Sequence, residues 1–431
     1  MVNTKRGLVL GATAAALTAV TVTGAGLHLS QSQAFFQESP KELVDEVWQI
    51  INLHYVDATF NHVDWKQVRQ DYVKSREYST KEDAYEAIRE MLKKLDDPYT
   101  RFMDPQEFRN MQIDTSGELT GVGIQLTKDE ETDELVVISP IEDTPAFDAG
   151  IQARDVITKI DEQSTEGMDI NTAVNLIRGK VGTEVTLTIR RGTEQIQFTV
   201  KRARIEIHPV RHSVQESPTG PVGYIRLTQF NANATSEMRS AIQDLESKNV
   251  SGYIMDLRSN PGGLLHASVQ IAGMWIPSGT IVSTVNRIGA PEVQSANGKS
   301  LTDKPLVVLV DGGSASASEI LSGALQDHKR AVLVGTKTFG KGLVQSVRGL
   351  GDGSGLAVTI AKYLTPNGRD INHEGIVPDV GIELTDEQRQ QIRRDNLIGS
   401  PQDPQYAKAL QVLQQEIAAS RRQQAEAPSL K

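Results

Sequence analysis

The segment Leu306 to Val310 consists of five consecutive apolar residues and is followed by glycines and serines. A strand without alternating polar residues is typical of a parallel sheet that is covered on both faces. Strand-like and helical segments alternate on both sides of it, from residue 203 to residue 385. This order predicts an α/β core over residues 203–385.

The periodicity of the apolar residues divides the rest of the chain into further modules. A chain of 431 residues is long enough for about two to four domains. Residues 35–110 show helical spacing, and Ser39 is placed to cap the first helix. Residues 111–202 contain short strand-like runs around two helical patches, and residues 386–431 form a helical tail. We therefore predict a multidomain α+β protein with helical N- and C-terminal modules.

The composition excludes several kinds of chemistry. The chain has 45 basic and 55 acidic residues, a formal charge of −10, whereas a nucleic acid partner requires clustered Lys and Arg. It has no cysteine, which removes disulfides, thiolate metal sites and cysteine nucleophiles. Covalent catalysis would therefore use Ser, Thr, Lys or a carboxylate.

Residues 1–34 have the pattern of an export signal. Lys5 and Arg6 precede the uncharged residues 7–27, and Ser32-Gln33-Ala34 places small residues at a cleavage site. Two interpretations are open: a cleaved signal peptide, or an uncleaved membrane anchor formed by residues 7–27. Both predict export, and an exported chain without cysteine cannot rely on disulfides for stability.

A group of serines and one lysine form the strongest candidate for covalent chemistry. Ser314, Ser316 and Ser318 stand between the buried strand and a predicted helix, whose N–H groups favour developing negative charge. Lys341 lies among glycine and apolar residues, where desolvation lowers the pKa of an amine and frees it to act as a general base. The simpler interpretation is helix capping for the serines and a charge at a strand edge for Lys341.

Parts of the sequence also fit two other kinds of site. Gly335 to Gly342 fits a phosphate-binding loop until its last position, where Gly342 replaces the required hydroxyl residue and Leu343 begins a strand instead of a helix. Nucleotide binding is therefore disfavoured. A Ser-His-Asp triad could use His266 or His373 as its base, because each follows a glycine-rich or polar turn, and the sequence leaves this alternative open.

Residues 111–202 resemble a PDZ domain. The resemblance rests on Leu119-Thr-Gly-Val-Gly-Ile124, Thr144-Pro-Ala146, Ala149-Gly-Ile151, Asp155-Val-Ile157 and Gly179-Lys-Val-Gly-Thr183. Consecutive backbone N–H groups in such a loop bind a carboxylate, and the adjacent strand edge accepts an extended peptide. An ordinary hairpin is the simpler interpretation of the loop glycines alone. The substrate-binding residues that the resemblance implies are Gly121, Val122, Gly123, Ile124 and, as a ligand sensor, Arg178.

The chain as a whole resembles the carboxyl-terminal processing, or tail-specific, serine proteases over residues 40–385. The motifs that carry this resemblance are the PDZ-like insert, Asp256 to Gly263, Ser314 to Ile320, Lys341 with Gln345, and Leu364 to Ile371. It implies a crotonase/ClpP-like protease core, with the PDZ domain inserted between N-terminal helices and core. The roles it implies are nucleophile for Ser316, general base for Lys341, orientation of that lysine for Gln345, and oxyanion hole for the N–H groups of Gly262 and Ala317.

The function that these expectations describe is an exported serine endopeptidase. The PDZ domain would hold the free C-terminus of an unstructured protein or peptide substrate, and the Ser/Lys dyad would cleave near that end through an acyl-enzyme. No metal, organic cofactor or nucleic acid is expected. The compartment would be a periplasm or a thylakoid lumen, where the family resemblance allows maturation of one precursor, such as that of the photosystem II reaction centre, or general tail-directed degradation. Peripheral membrane association and dimerisation are left open. The alternative is a non-catalytic PDZ-type peptide-binding or scaffold protein.

Overall fold

The computed structural model describes residues 20–21, 39–129 and 132–426. The predicted signal peptide or anchor therefore lies outside the described residues, apart from Val20–Thr21. The chain forms two compact units. One consists of the described residues up to Thr115 together with those from Pro209 onward, and the other is the insert Ser116–His208.

The first unit begins with a helical module. Its elements before the insert are β1 (Val20–Thr21), α1 (Pro40–His54), α2 (Trp65–Arg69), a π-helical turn (Gln70–Lys74), α3 (Lys81–Lys93), β2 (Arg101–Met103) and α4 (Pro105–Ser116). The predicted cap of α1 is confirmed, because the Ser39 hydroxyl accepts from the Glu42 N–H and the Glu42 carboxylate accepts from the Ser39 N–H. Trp48 and Trp65 stack with ring centroids 6.5 Å apart and anchor the module's core.

The insert is a small β unit with two short helices. Its elements are β3 (Glu118–Gly121), β4 (Ile124–Lys128), β5 (Leu135–Pro140), α5 (Pro145–Asp148), β6 (Val156–Ile160), β7 (Gln163–Ser164), α6 (Ile170–Ile177), β8 (Glu184–Arg191), β9 (Glu194–Lys201) and β10 (Ala203–Glu206). The main sheet has the order β4-β5-β6-β8-β9, with β7 paired to β6. A separate antiparallel pair, β3 with β10, joins the beginning of the insert to its end.

The remaining elements complete the first unit. They are β11 (Val210–Gln215), β12 (Val222–Leu227), α7 (Ala234–Ser247), β13 (Tyr253–Asp256), α8 (Leu265–Ala272), β14 (Thr280–Asn286), β15 (Pro291–Ser295), β16 (Leu306–Val310), α9 (Ala317–Asp327), β17 (Val332–Gly335), β18 (Leu343–Gly349), β19 (Gly355–Leu364), β20 (Val380–Gly381), α10 (Asp386–Arg394) and α11 (Pro404–Glu426). Within the described residues no helix is both long enough and apolar enough to cross a membrane.

The apolar segment Leu306–Val310 is a central strand, as predicted. The sheet order is β11-β12-β13-β16-β17-β20, with β11 antiparallel and the other strands parallel, and every residue of β16 is buried. Val307 and Leu309 pack in one cluster with Tyr406 of α11. Val308 packs with Leu321 of α9 in the cluster on the other face. Helices therefore cover both faces of the sheet, which confirms the α/β core.

A second sheet brings the lysine region of the sequence into the core. Its order is β1-β18-β19-β14-β15. β2 also pairs with β19, at Gly355 to Ala357, whereas β14 pairs with residues Ala361 to Leu364. β18 and β19 are antiparallel, so Gln345 on β18 lies opposite Thr359 on β19. Leu356 and Val358 of β19 also belong to the core of the helical module. The N-terminal helices are thus part of the unit that carries the candidate site.

Candidate active site

Ser316 occupies a strained turn between β16 and α9. It is the N-cap of α9 and has φ 54° and ψ −110°, a backbone conformation that is costly for a residue with a side chain. The neighbours hold this turn in place: the Ala315 N–H donates to the Asn260 carbonyl at 3.0 Å, and the Ser314 hydroxyl donates to the Leu257 carbonyl at 2.8 Å. The Ser316 side chain is 2% exposed and lies at the start of the helix.

The carboxylate of Glu319 joins the serine turn to the lysine loop. One of its oxygens accepts from the backbone N–H groups of Ser316 at 2.8 Å and Lys341 at 2.9 Å. The other accepts from the Gly340 N–H at 2.7 Å and the Thr338 hydroxyl at 2.6 Å. Burial raises the pKa of Glu319, and these donors act in the opposite direction. Four hydrogen bonds to one buried group fix the two loops relative to each other.

Lys341 is buried at the end of the glycine-rich loop. Its side chain is 3% exposed, and its Nζ lies 4.6 Å from the centroid of the Tyr99 ring. Burial, reinforced by the positive charge of Arg101, lowers the pKa of Lys341 to about 8, although Asp97 and Glu319 act to raise it. At this pKa roughly a tenth of the lysine is the free amine at pH 7, far more than for an ordinary lysine. Within the described chain the Nζ makes no hydrogen bond to the Ser316 hydroxyl.

Tyr363 and Gln345 complete the buried surroundings of the two residues. The Tyr363 hydroxyl donates to the Lys341 carbonyl, and burial raises the pKa of that hydroxyl well above its ordinary value. Gln345 is fully buried and shares with Ser316 and Tyr363 a cavity of about 10 Å³. This space holds about one water molecule, so a substrate side chain could enter it only if the cavity widened.

Gly262 lies directly against the serine turn. It has φ 104°, and a Cβ at this position would be 2.7 Å from the Ala315 carbonyl oxygen and 3.0 Å from the Ala317 nitrogen. The close approach therefore requires glycine. The Gly262 N–H donates to the Asn260 side-chain oxygen at 2.9 Å. Ala317 is the first residue of α9, so its N–H has no partner inside the helix.

The residues of the alternative sites lie in different surroundings from Ser316 and Lys341. His266 on α8 and His373 are exposed, and neither donates to or accepts from Ser316 within the described residues. Partial desolvation of its ring lowers the pKa of His266. Leu343 begins strand β18 and not a helix, so the loop before it lacks the helix N-terminus that a phosphate loop requires.

The predicted carboxylate loop of the insert connects β3 and β4. Gly123 has φ 84°, and a Cβ there would lie 2.4 Å from the Thr144 side chain, so only glycine fits. Val122 is buried in the core of the insert and Ile124 begins β4. Arg178 caps the end of α6, and its Cγ is 3.9 Å from the ideal Cβ position of Gly121. The structure thus brings all five predicted substrate-binding residues to one end of β4.

Sequence reasoning missed several residues of the core site. Glu319, Tyr363, Tyr99 and Asn260 were assigned no role, although the first three contact Lys341 and the last contacts the Gly262 N–H. One signal was available, because Ser316 and Glu319 have the spacing of a capping box. The fully buried position of Glu319 was not foreseeable from that pattern.

Comparisons with protein families match three segments of the chain. Residues 221–382 match peptidase family S41, residues 120–201 match the PDZ domain, and residues 36–93 match the tricorn protease C1 domain. The chain is 36% identical to the solved structure of a photosystem II D1 C-terminal processing protease. That similarity covers 86% of this chain and 100% of the other, with a TM-score of 0.56.

Whole-chain relatives point to the same group. The chain is 47% identical to a carboxyl-terminal-processing protease of Synechocystis sp., over 92% of each chain. It is 41% identical to the chloroplastic carboxyl-terminal-processing peptidase 2 of Arabidopsis thaliana, over 78% of this chain and 67% of the relative. The similarity extends beyond the core to the PDZ insert and the N-terminal helices. The chain therefore belongs to the carboxyl-terminal-processing proteases of peptidase family S41.

Proposed function

We propose that this carboxyl-terminal-processing protease is a serine endopeptidase in which Ser316 is the nucleophile and Lys341 the general base. The observation that carries the proposal is the shared Glu319 carboxylate, which holds the backbones of both residues in one buried site. The lowered pKa of Lys341 supports its role, because only a free amine can accept the serine proton.

The reaction we propose has two steps. The neutral Lys341 amine, oriented by Gln345, takes the hydroxyl proton as Ser316 Oγ attacks the peptide carbonyl carbon. The N–H groups of Gly262 and Ala317 stabilise the oxygen anion that forms. Because the Gly262 N–H already donates to the Asn260 side chain, the anion must displace this hydrogen bond or share it. The lysine returns the proton to the leaving amine, and water then hydrolyses the acyl-enzyme. The hydrogen bond between base and nucleophile often forms only with substrate bound.

We further propose that the PDZ-like insert selects the substrate's C-terminus. Gly121, Val122, Gly123 and Ile124 would bind the terminal carboxylate, and the adjacent Arg178 would sense that it is bound. Substrates would then be proteins or peptides with free, unstructured C-terminal ends. We propose a periplasm or a thylakoid lumen as the compartment, because the relatives include bacterial and chloroplastic processing enzymes.

The proposal is tested with an unfolded peptide that has an apolar free C-terminus, and with the same peptide amidated at that end. We expect the wild-type protein to cleave the free peptide and the Ser316→Ala variant to leave it intact. Amidation should weaken cleavage by the wild type, because it removes the carboxylate. A peptide that both proteins leave intact, or cut equally, contradicts the Ser/Lys assignment and favours a protein that only binds peptides.

A second set of variants separates the lysine base from a histidine base. We expect Lys341→Ala to abolish cleavage, whereas His266→Ala and His373→Ala retain it. If the two histidine variants are folded and inactive while Lys341→Ala still cleaves, the base has been misassigned. Circular dichroism of each variant establishes that it is folded.

A further inference from the structure

A cavity of about 180 Å³ lies at the carboxyl ends of the parallel strands, and neither Ser316 nor Lys341 lines it. Its wall includes Arg226 on β12, residues that follow β13, β16 and β17, and residues of α10. The charged side chains that line it are Arg226, Arg258, Asp311, Arg389 and Arg393. Four positive charges and one negative charge therefore face this space, although the chain as a whole is acidic.

Two of the four arginines already have carboxylate partners. Arg258 donates to Asp256 and to Asp403, with the shortest contacts at 2.6 and 2.7 Å. Arg389 pairs at 3.2 Å with the exposed Asp386, three residues earlier on the same helix. The single lining carboxylate, Asp311, is also committed, because it accepts from the backbone N–H groups of Ser259 and Gly313.

Arg226 and Arg393 have no carboxylate partner among the described residues. Arg226 lies on β12 within the central sheet, and its Nε is buried without a hydrogen-bond acceptor in the described chain. A buried donor without an acceptor costs about 1–3 kcal/mol. The rest of the Arg226 residue is half-buried, whereas Arg393 is exposed. Arg226 and Arg393 thus add two positive charges to the cavity that no carboxylate of the described chain neutralises.

The size of the cavity and the donors around it suit a small anion. A water molecule requires about 10–15 Å³ of such space, so the cavity accommodates a tetrahedral oxyanion with some of its surroundings. Guanidinium groups present paired N–H donors that match phosphate oxygens. Because two of the arginines have no carboxylate partner in the described chain, a doubly charged anion would match their charge better than a singly charged carboxylate would.

We propose that this cavity binds a small doubly charged oxyanion of the phosphate class, either inorganic phosphate or a phosphomonoester. The anion accepts hydrogen bonds from Arg226 on β12 and Arg393 on α10, and Arg389 borders the same space. Ser259 and Asp311 also line the cavity and belong to the loops that carry Gly262 and Ser316. This site is separate from the proposed proteolytic chemistry and does not depend on it.

The test is isothermal titration calorimetry of the full-length protein with sodium phosphate, at constant ionic strength maintained with chloride. We expect saturable 1:1 binding, and we expect Arg226→Gln and Arg393→Gln each to weaken it about tenfold or more, which corresponds to about 1.4 kcal/mol. The matched control is Arg394→Gln, the neighbouring arginine on α10, which pairs with Asp395. That variant should bind with a Kd within about twofold of the wild type.

A parallel titration with glycerol 3-phosphate distinguishes the two sources of the anion. Binding of inorganic phosphate alone identifies a free-phosphate site, and binding of both identifies a site open to phosphomonoesters. If neither ligand binds the wild type up to about 10 mM, the proposal is wrong. It is equally wrong if binding is unchanged in both Arg226→Gln and Arg393→Gln. Because Arg393 is on an exposed helix, its variant remains informative even if Arg226→Gln does not fold.

Discussion

The backbone N–H groups of Ser316 and Lys341 donate to the same oxygen of one buried carboxylate, at 2.8 and 2.9 Å. The two residues are far apart in the sequence and belong to different loops. Their relative position therefore depends on Glu319 more directly than on either strand that precedes them. This relationship identifies Glu319 as a positioning residue for the proposed dyad.

Glu319→Gln should damage catalysis more than substrate binding. The amide keeps one acceptor oxygen but turns an NH₂ group toward two N–H or O–H donors of the site. We expect kcat to fall about 100-fold or more with little change in KM, because the loops shift relative to each other. Leaving two buried donors unsatisfied should also lower the free energy of unfolding by about 2–4 kcal/mol. Peptide cleavage kinetics and urea denaturation measure the two effects.

The matched control for this variant is Glu387→Gln, which changes an exposed carboxylate on α10. It should leave both kinetics and stability nearly unchanged. A positioning role also predicts a shift in the pH profile: the negative charge of Glu319 raises the pKa of Lys341, so its removal should move the profile to lower pH. A Glu319→Gln variant with kcat within about threefold of the wild type would refute the positioning role.

The pH dependence of cleavage should report the ionisation of Lys341. Below a pKa of about 8 the lysine is protonated and cannot accept the serine proton. We expect kcat/KM to rise about tenfold per pH unit below that value and to level off above it. The profile is measured with the free peptide under conditions in which the protein stays folded.

Arg101→Gln should move this profile to higher pH. The positive charge of Arg101 disfavours the protonated lysine, so its removal should raise the pKa of Lys341. Arg109→Gln, at an exposed position on α4, is the control and should leave the profile in place. Inflection points that coincide in all three proteins would show that another group controls the rate.

Gly262→Ala should nearly abolish cleavage. The added methyl group would lie 2.7 Å from the Ala315 carbonyl oxygen, so the serine turn or the Gly262 loop must move. We expect a loss of about 100-fold to 1,000-fold in kcat, which is typical of losing an oxyanion donor. Gly353→Ala provides the control, because Gly353 also has a positive φ, of 89°, but has no atom within 4 Å of its ideal Cβ. Equal losses in both variants would mean that backbone strain, and not contact with the serine turn, is responsible.

Asp403→Asn should destabilise the core by breaking a buried ion pair. Arg258 lies on the loop after β13 and contacts Asp403, just before α11, at 2.7 Å. We expect the free energy of unfolding in urea to fall by about 3 kcal/mol, since the guanidinium keeps Asp256 but loses a charged partner in a buried site. Asp395→Asn removes the partner of the exposed Arg394 and should cost at most about 1 kcal/mol. Similar losses in the free energy of unfolding for the two variants would contradict a stabilising role of the buried ion pair.

The sequence was most informative where structure depends on local chemistry. The cap of α1 follows from Ser39 and Glu42, which are three residues apart. The central strand β16 follows from consecutive apolar residues that require cover on both faces. The family motifs in order also predicted the combination of PDZ-like insert and protease core. Each of these features is contained in a short stretch of chain or in a specific ordered pattern.

The features that the sequence did not predict depend on contacts between distant segments. Asn260 supports the site by accepting from the Gly262 N–H and the Ala315 N–H, and no local pattern distinguishes such an asparagine from one in an ordinary turn. The hairpin of β14 and β15 was not predicted, because it lies outside the motifs. The amphipathic pattern of α11 indicated a helix, but it could not show that Tyr406 covers Val307 and Leu309.

The pairing of β3 with β10 has a consequence for how the core folds around its insert. The core is interrupted by Ser116–His208, and closing a flexible loop of roughly 90 residues costs about 4 kcal/mol in chain entropy. In the folded insert, the Ile207 N–H donates to the Gly117 carbonyl at 2.7 Å, so the two ends are already side by side. For the core, a folded insert is therefore equivalent to a short hairpin connection. The entropic cost of closing the loop is therefore met when the insert folds. Little of this cost remains to oppose assembly of the central sheet, next to which Ser316 lies.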